Sequence, residues 1–299
     1  MGAWGPGLYS NDFACDLKST IRAVSRLPYE PKKILELLCE MEEDTASNPL
    51  NEDYTTFWLV VADQFYKKGI YLKHLNEKAI KIIDKKQDLH MLSDLGMEDR
   101  DLKKREKTLQ KLKSLLCNQA NEPSKKRKTL KAPLPFIMEV GDCFSFPTSN
   151  GLALNPYVSK KDAERYYNAC KWKQNGYGLL VVCERGRVLD YLTWYRVLVM
   201  DHSPEKKPSF SKELLIENKW SICEPGVFTN AMVKNCSFEK LGNIQFKEEK
   251  LDQIFPNRKN PYWKVLDNIG MGFCSSVPND CELDKNAQES PCPGTSLFE

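Results

Sequence analysis

Residues 177–200 read YGLLVVCERGRVLDYLTWYRVLVM. Two runs rich in β-branched and aromatic residues flank Arg185-Gly186, and this predicts two strands joined there as a hairpin. Working outward, residues 136–147 (FIMEVGDCFSFP) are strand formers that stop at Pro147. Residues 221–233 (SICEPGVFTNAMV) predict a further strand segment that turns at Pro225-Gly226. Residues 246–257 (FKEEKLDQIFPN) fit one short helix. From Ser275 onward the chain is rich in Pro, Ser and Asn without periodicity, so it reads as a loose tail.

The first 118 residues read differently, with apolar residues at helical spacing. Phe13, Leu17, Ile21 and Val24 line a first helix over 10–27, with Ser10, Asn11 and Asp12 all suited to its cap. Pro31 opens a second over 29–44, apolar at Ile34, Leu35, Leu38 and Met41. A third covers 51–69, from Asn51 or Asp53 to Gly69, and a fourth 71–89. A fifth covers 97–117, with a stripe of Leu102, Leu109, Leu112 and Leu116. Residues 118–135 (NQANEPSKKRKTLKAPLP) then combine amides, prolines and a basic run. The predicted class is α+β: an N-terminal α-helical bundle followed by a smaller, mostly antiparallel β domain. The divisions are an α-helical domain over 1–118, a basic Pro-containing linker over 119–135, a β-rich domain over 136–274 and a loose tail over 275–299.

The 299 residues are 41% hydrophobic and 28% charged, with a net charge of only +3. This is the composition of a soluble chain, and whole-chain charge gives little argument for nucleic acid. No apolar run approaches the ~18 residues of a membrane span. Eleven cysteines, an odd number with no Cys-x-x-Cys, point to reduced thiols in a cytoplasm. With only His74, His90 and His202 beside them, no zinc site of ordinary spacing can be drawn, and neither a metal nor a cofactor is expected.

Candidate chemistry is sparse. Asp12 with Asp16, and Glu36 with Glu40, stand one helical turn apart and suit acid–base or metal work, although on a charged helix such pairs are usually a solvated face. Cys170 and His202 are a conceivable nucleophile and base without a supporting motif. Lys125, Lys126, Arg127 and Lys128 form a compact basic cluster that suits phosphates. Residues 155–177 are long for a loop within a β domain and interleave Tyr166, Tyr167, Trp172 and Tyr177 with Lys171 and Lys173. Aromatic anchors of this kind suit a protein partner, and they also suit stacked bases. In the opening MGAWGPGLYSNDFACD, Pro6 and the glycines fold the chain back so that Trp4 and Tyr9 pack onto the helices as an anchor.

That opening resembles the start of a bacterial family of uncharacterised proteins that begin Met-Gly-Ala-Trp-Gly-x-Gly and continue Asn-Asp-x-Ala-x-Asp. The pattern falls on Trp4, Gly5, Gly7, Asn11, Asp12, Ala14 and Asp16, and the likeness runs over roughly 1–118. Residues 136–200 are similar to immunity proteins of bacterial polymorphic toxin systems, through Gly141, Asp142, Phe144, Phe146, Pro147 and the later GYGLLVV. The chain departs from that pattern in the insertion 155–175. The two resemblances imply a protein-binding protein of a bacterial cell linked to immunity or defence; with no credible catalytic set, reduced thiols and no membrane-length apolar run, the expectation is a non-enzymatic, cytoplasmic protein not linked to a membrane. The alternative is a nucleic-acid-binding protein that uses the basic linker and the aromatic insertion. A third reading is a hydrolase or cysteine enzyme.

Overall fold

The computed structural model describes residues 5–118, 126–155, 158, 161–223, 225–246 and 292–293. The chain forms two compact units, Met1–Ala132 and Pro133–Glu299, of which the second is the longer. Trp4, Lys125, the helix expected over 246–257 beyond Phe246, and the tail apart from 292–293 lie outside the described residues.

The first unit is helical: α1 (Asp12–Val24), α2 (Pro31–Met41), α3 (Glu43–Ser47), α4 (Tyr54–Lys68), α5 (Lys73–Asp84), α6 (Gln87–Asp94) and α7 (Asp99–Cys117). The expected second and fourth helices each divide in two. The fourth breaks at Lys86, whose φ of 53° leaves the right-handed helix. Helix α4 is the centre, since every residue from Thr55 to Phe65 is buried. A helix buried and mostly apolar on all sides must be surrounded, and α1, α3, α5, α6 and α7 all touch it. Asn11 caps α1, its side chain accepting the Ala14 N–H at 2.7 Å.

The opening segment is fixed to this bundle by polar contacts. Arg105 Nη1 donates to the Gly7 carbonyl at 2.7 Å. The Tyr9 hydroxyl donates to Asp63 and accepts from Gln64, and Lys67 pairs with Asp63 at 2.7 Å. Burial and the adjacent Asp63 carboxylate push the Tyr9 phenol up.

The second unit is one antiparallel sheet: β1 (Asp142–Ser149), β2 (Leu152–Ala153), β3 (Gly176–Val188), β4 (Leu192–Met200), β5 (Lys219–Ile222), β6 (Glu239–Asn243) and β7 (Cys292–Pro293), with short helices α8 (Ala163–Ala169), α9 (Lys212–Ile216) and α10 (Asn230–Asn235). The order is β2-β1-β3-β4-β5-β7, and β6 also pairs with β1. Both faces are covered, which is why β3 and β4 read as continuous apolar runs. Cys143, Leu179, Val181, Leu198, Met200, Leu215 and Trp220 pack on one face. Phe144, Phe146, Leu180, Val182, Tyr195, Val197 and Phe228 pack on the other.

Three local expectations are corrected. The hairpin turns at Leu189 and Asp190, both left-handed, and not at Arg185-Gly186. Gly186 lies inside β3 opposite Trp194, whose ring covers it; a Cβ there would come within 2.6 Å of the indole. Strand β1 continues through Pro147, because pairing with β6 ends at Ser145 and pairing with β2 begins at Thr148. The proline occupies the gap, where its missing N–H leaves no ladder bond unmade. Residues 230–235 are helical, since the Thr229 hydroxyl accepts the Met232 N–H at 3.2 Å and caps α10.

Gly141 and Asp142 join three strands. The Gly141 N–H donates to the Val182 carbonyl at 2.7 Å, and its own carbonyl accepts from Ile244 at 2.9 Å. The buried Asp142 carboxylate accepts from the Glu139 N–H (3.0 Å), Asn243 (2.9 Å) and Lys240 (2.6 Å). Burial alone would raise its pKa, but Lys240, the Glu139 N–H and Asn243 together outweigh that and hold the carboxyl below the usual range. A depressed folded-state pKa gives stability that is complete above the ordinary carboxylate value of ~4 and is lost as pH falls through the lower folded value. Asp142→Asn should therefore be less stable at pH 7 and lose less on acidification. Urea midpoints taken from pH 7 down to pH 3 check this, and parallel curves for variant and wild type would refute the stabilising role of the Asp142 carboxylate.

Candidate functional site

The insertion between β1 and β3 leaves the sheet on two clasped feet. The Asn150 N–H donates to Asn175 Oδ1 at 2.7 Å, and Asn175 Nδ2 donates back to Asn150 Oδ1 at 2.6 Å. The Asn175 N–H reaches the Thr148 carbonyl at 3.0 Å, and the Lys173 N–H reaches the Ser149 hydroxyl at 3.2 Å. Asn150 adopts a left-handed φ of 49°, as the residue before Gly151 in this turn. The Asn-Gly pair was the available sequence signal for the β1–β2 turn.

On these feet stands α8, seven residues long and with none of them buried. An isolated helix of this length is unstable in water, so its neighbours must hold it. Tyr167 packs between Tyr166 (centroids 5.2 Å apart, edge to face) and Trp172 (5.6 Å). The Trp172 indole N–H donates to the Leu152 carbonyl of β2 at 3.2 Å. Tyr167 donates to the Asn155 carbonyl at 3.4 Å, and Asn155 Nδ2 donates to the Tyr166 hydroxyl at 3.2 Å. Burial pushes the Tyr167 phenol up. Tyr167 and Trp172 are thus half-buried supports, whereas Tyr166 is 42% exposed. Tyr177 stands apart in β3, opposite Pro147. Exposed Lys161, Arg165, Lys171 and Lys173 outnumber Asp162 and Glu164 in the described part of this segment. The result is one exposed aromatic ring on a hydrogen-bonded mount, in a segment of net positive charge.

The other candidates are placed elsewhere. Arg127 Nη2 donates to the Tyr29 carbonyl at 2.6 Å, and the Leu130 N–H donates to the Arg26 carbonyl at 2.7 Å, so this part of the basic segment lies along the α1–α2 connection. Burial lowers the Arg127 pKa. Lys126 and Lys128 are exposed. Glu36 pairs with Lys32 and Lys33, and Glu40 with Lys33, at 3.6–3.9 Å on the surface of α2. Burial, then the charge of Asp12, raises the Asp16 carboxyl. The Cys170 thiol points to the Tyr166 carbonyl at 3.0 Å while the His202 ring faces Asp201 at 3.3 Å, so the two have separate partners. Among the described residues no group of three or more His, Cys, Asp or Glu could hold a metal ion. The eight cysteines from Cys15 to Cys236 are free thiols, and burial pushes those of Cys143 and Cys236 up to about 12. No described helix is long and apolar enough to cross a membrane.

Sequence reasoning missed the buried polar groups of the first unit. Arg105 lies on a helix face that otherwise buries Leu109, Leu112 and Leu116, and a charge at an apolar position was the signal that could have marked it; Asp63 stands among apolar residues of α4 beside the buried Gln64. Compared with family models, with curated proteins and with solved structures, the chain matches none.

Proposed function

We propose that this is a non-enzymatic protein-binding protein whose partner docks on the α8 surface, acting in the cytoplasm of a bacterial cell in immunity or defence. The observation that carries the reading is the exposed Tyr166 ring on a helix that buries none of its residues yet is held by stacking and by hydrogen bonds from Tyr167 to Asn155 and from Trp172 to Leu152. Preorganised aromatic groups lose little entropy on binding and serve as hot spots. The net positive charge of this segment favours an acidic protein face and speeds encounter. The resemblance of 136–200 to toxin immunity proteins supplies the defence role.

The test is binding to the protein encoded by the adjacent gene, together with protection of cells that express it. Tyr166→Ala should weaken binding by ~2 kcal/mol, roughly 30-fold, as hot-spot truncations do, with thermal stability unchanged. Trp172→Ala should weaken binding and also loosen α8, read as faster hydrogen exchange over 163–172. Unchanged affinity in both variants would remove α8 from the partner site. Failure of the wild-type chain to bind or protect would remove the toxin-neutralising role.

A further inference from the structure

The outer face of α7 carries a second kind of surface. Helix α7 buries Arg105, Leu109, Leu112 and Leu116. On the opposite side, at i, i+3, i+7 and i+11, stand Arg100, Lys103, Lys107 and Lys111, all exposed. Eleven residues at 1.5 Å rise place these four cations in a row of about 16 Å. Gln110 is the exposed neutral residue beside them on this face, and no acidic side chain interrupts the row, the exposed Asp99 preceding it.

Some exposed lysines elsewhere in this unit are neutralised locally: Lys32 and Lys33 face Glu36, Lys73 faces Glu77 and Lys86 faces Glu106. Others, such as Lys18, Lys81 and Lys85, stand exposed but not in a row of four on one helix face. Lys104, beside the row, pairs with Asp101 at 2.7 Å. Among the described residues, Arg100, Lys103, Lys107 and Lys111 make no ion pair. An unopposed row of like charges on one helix face is mildly unfavourable by itself; an external polyanion would relieve it.

We propose that the α7 face binds the phosphate backbone of a nucleic acid, without reading its sequence. No apolar side chain stands within the row, the exposed Leu115 lying one turn beyond Lys111, and this argues for such an occupant. A protein partner draws its affinity from buried aromatic and apolar anchors, and a membrane-surface helix needs an exposed apolar face; the apolar face of α7 is already inside the bundle. A phosphate backbone needs only cations in sequence. Released counterions supply the affinity, with a slope of log K against log salt near −0.9 per contact for duplex DNA. This site is independent of the α8 surface.

The experiment uses the full chain and a dye-labelled 20-base-pair DNA duplex of mixed sequence, with binding followed by fluorescence anisotropy. Four contacts predict a slope near −3.6, so affinity falls roughly 150-fold between 50 and 200 mM salt. Lys103→Gln/Lys107→Gln/Lys111→Gln keeps good helix formers and should bring the slope close to −1, a roughly fourfold fall over the same range. Its circular dichroism should match wild type. A Lys126→Gln/Lys128→Gln control and Tyr166→Ala should bind the duplex as wild type does. The proposal is overturned if the duplex does not bind at 50 mM salt or if the triple variant keeps the wild-type slope. It is equally overturned if the Lys126/Lys128 control abolishes binding, or if phosphatidylserine vesicles bind while the duplex does not.

Discussion

Replacing Arg105 by methionine is expected to destabilise the helical unit by about 3–5 kcal/mol, the usual result of removing one member of a buried ion pair. Its side chain is 4% exposed and that of Asp88 1%. Nε donates to Asp88 Oδ2 at 2.8 Å and Nη2 to Oδ1 at 2.9 Å, a two-pronged fork that fixes geometry as well as charge. Thr55 adds a hydrogen bond to the same carboxylate at 3.2 Å. Nη1 reaches the Gly7 carbonyl, so one guanidinium ties α7 to α6 and to the opening segment. Without it, Asp88 stays buried with Thr55 as its remaining described hydrogen-bond donor. Arg105→Lys should recover only part of the loss, because an ammonium cannot fill the fork. Arg105→Met with Asp88→Leu should recover most of it, because no charge is then left alone. Hydrogen exchange over α4 and α7, measured against urea, reads the helical unit separately from the sheet. A single variant within about 1 kcal/mol of wild type would show that the fork does not support this unit.

What the sequence made legible follows the strength of local patterns. The apolar run of α4 and the capped start of α1 were readable because periodicity and cap chemistry act within a few residues. The hairpin turn was not. Gly186 looked like the turn residue, but glycine is needed there to let the Trp194 ring cross the strand, a contact between residues eight apart. The actual turn puts Leu189 at a φ of 53°, a position no propensity argument would choose for leucine. Residues 230–233 follow a strand-like run and end on apolar residues, but one side-chain cap at Thr229 starts a helix. The candidate site divides in the same way. Its aromatic content was plain in the composition of 155–177, whereas the division into supports (Tyr167, Trp172) and an exposed ring (Tyr166) depends on Leu152 and Asn155, which carry no signal of their own. The α7 row was hidden because whole-chain charge is nearly neutral; it emerges only when buried and exposed faces, and paired and unpaired cations, are separated.

Gly141→Ala is expected to cost the sheet roughly 3 kcal/mol or more, from two effects that add. Gly141 has a φ of 88°. A side chain in a left-handed conformation costs roughly 1–2 kcal/mol. A Cβ at this position would also lie 1.8 Å from the Ile244 carbonyl oxygen and 2.9 Å from its carbon. Those atoms are backbone, and they cannot swing aside as the end of a long side chain would; forcing space in a packed site typically costs 1–3 kcal/mol. Relief would mean parting Ile244 from Gly141, which breaks the hydrogen bond between them and strains the adjoining Asn243 and Lys240 contacts to Asp142. The Gly-Asp pair therefore has a physical reason to stand together, with one residue allowing the chain to approach and the other holding the chain that approaches. The loss should appear as faster exchange in β1 and β6 with α4 and α7 unaffected. Gly141→Asn, which tolerates a left-handed φ but still carries a Cβ, separates the two effects. If Asn restores stability, conformation dominates; if it is as unstable as Ala, the clash does. A Gly141→Ala protein as stable as wild type would mean that β6 does not close on β1 in this way.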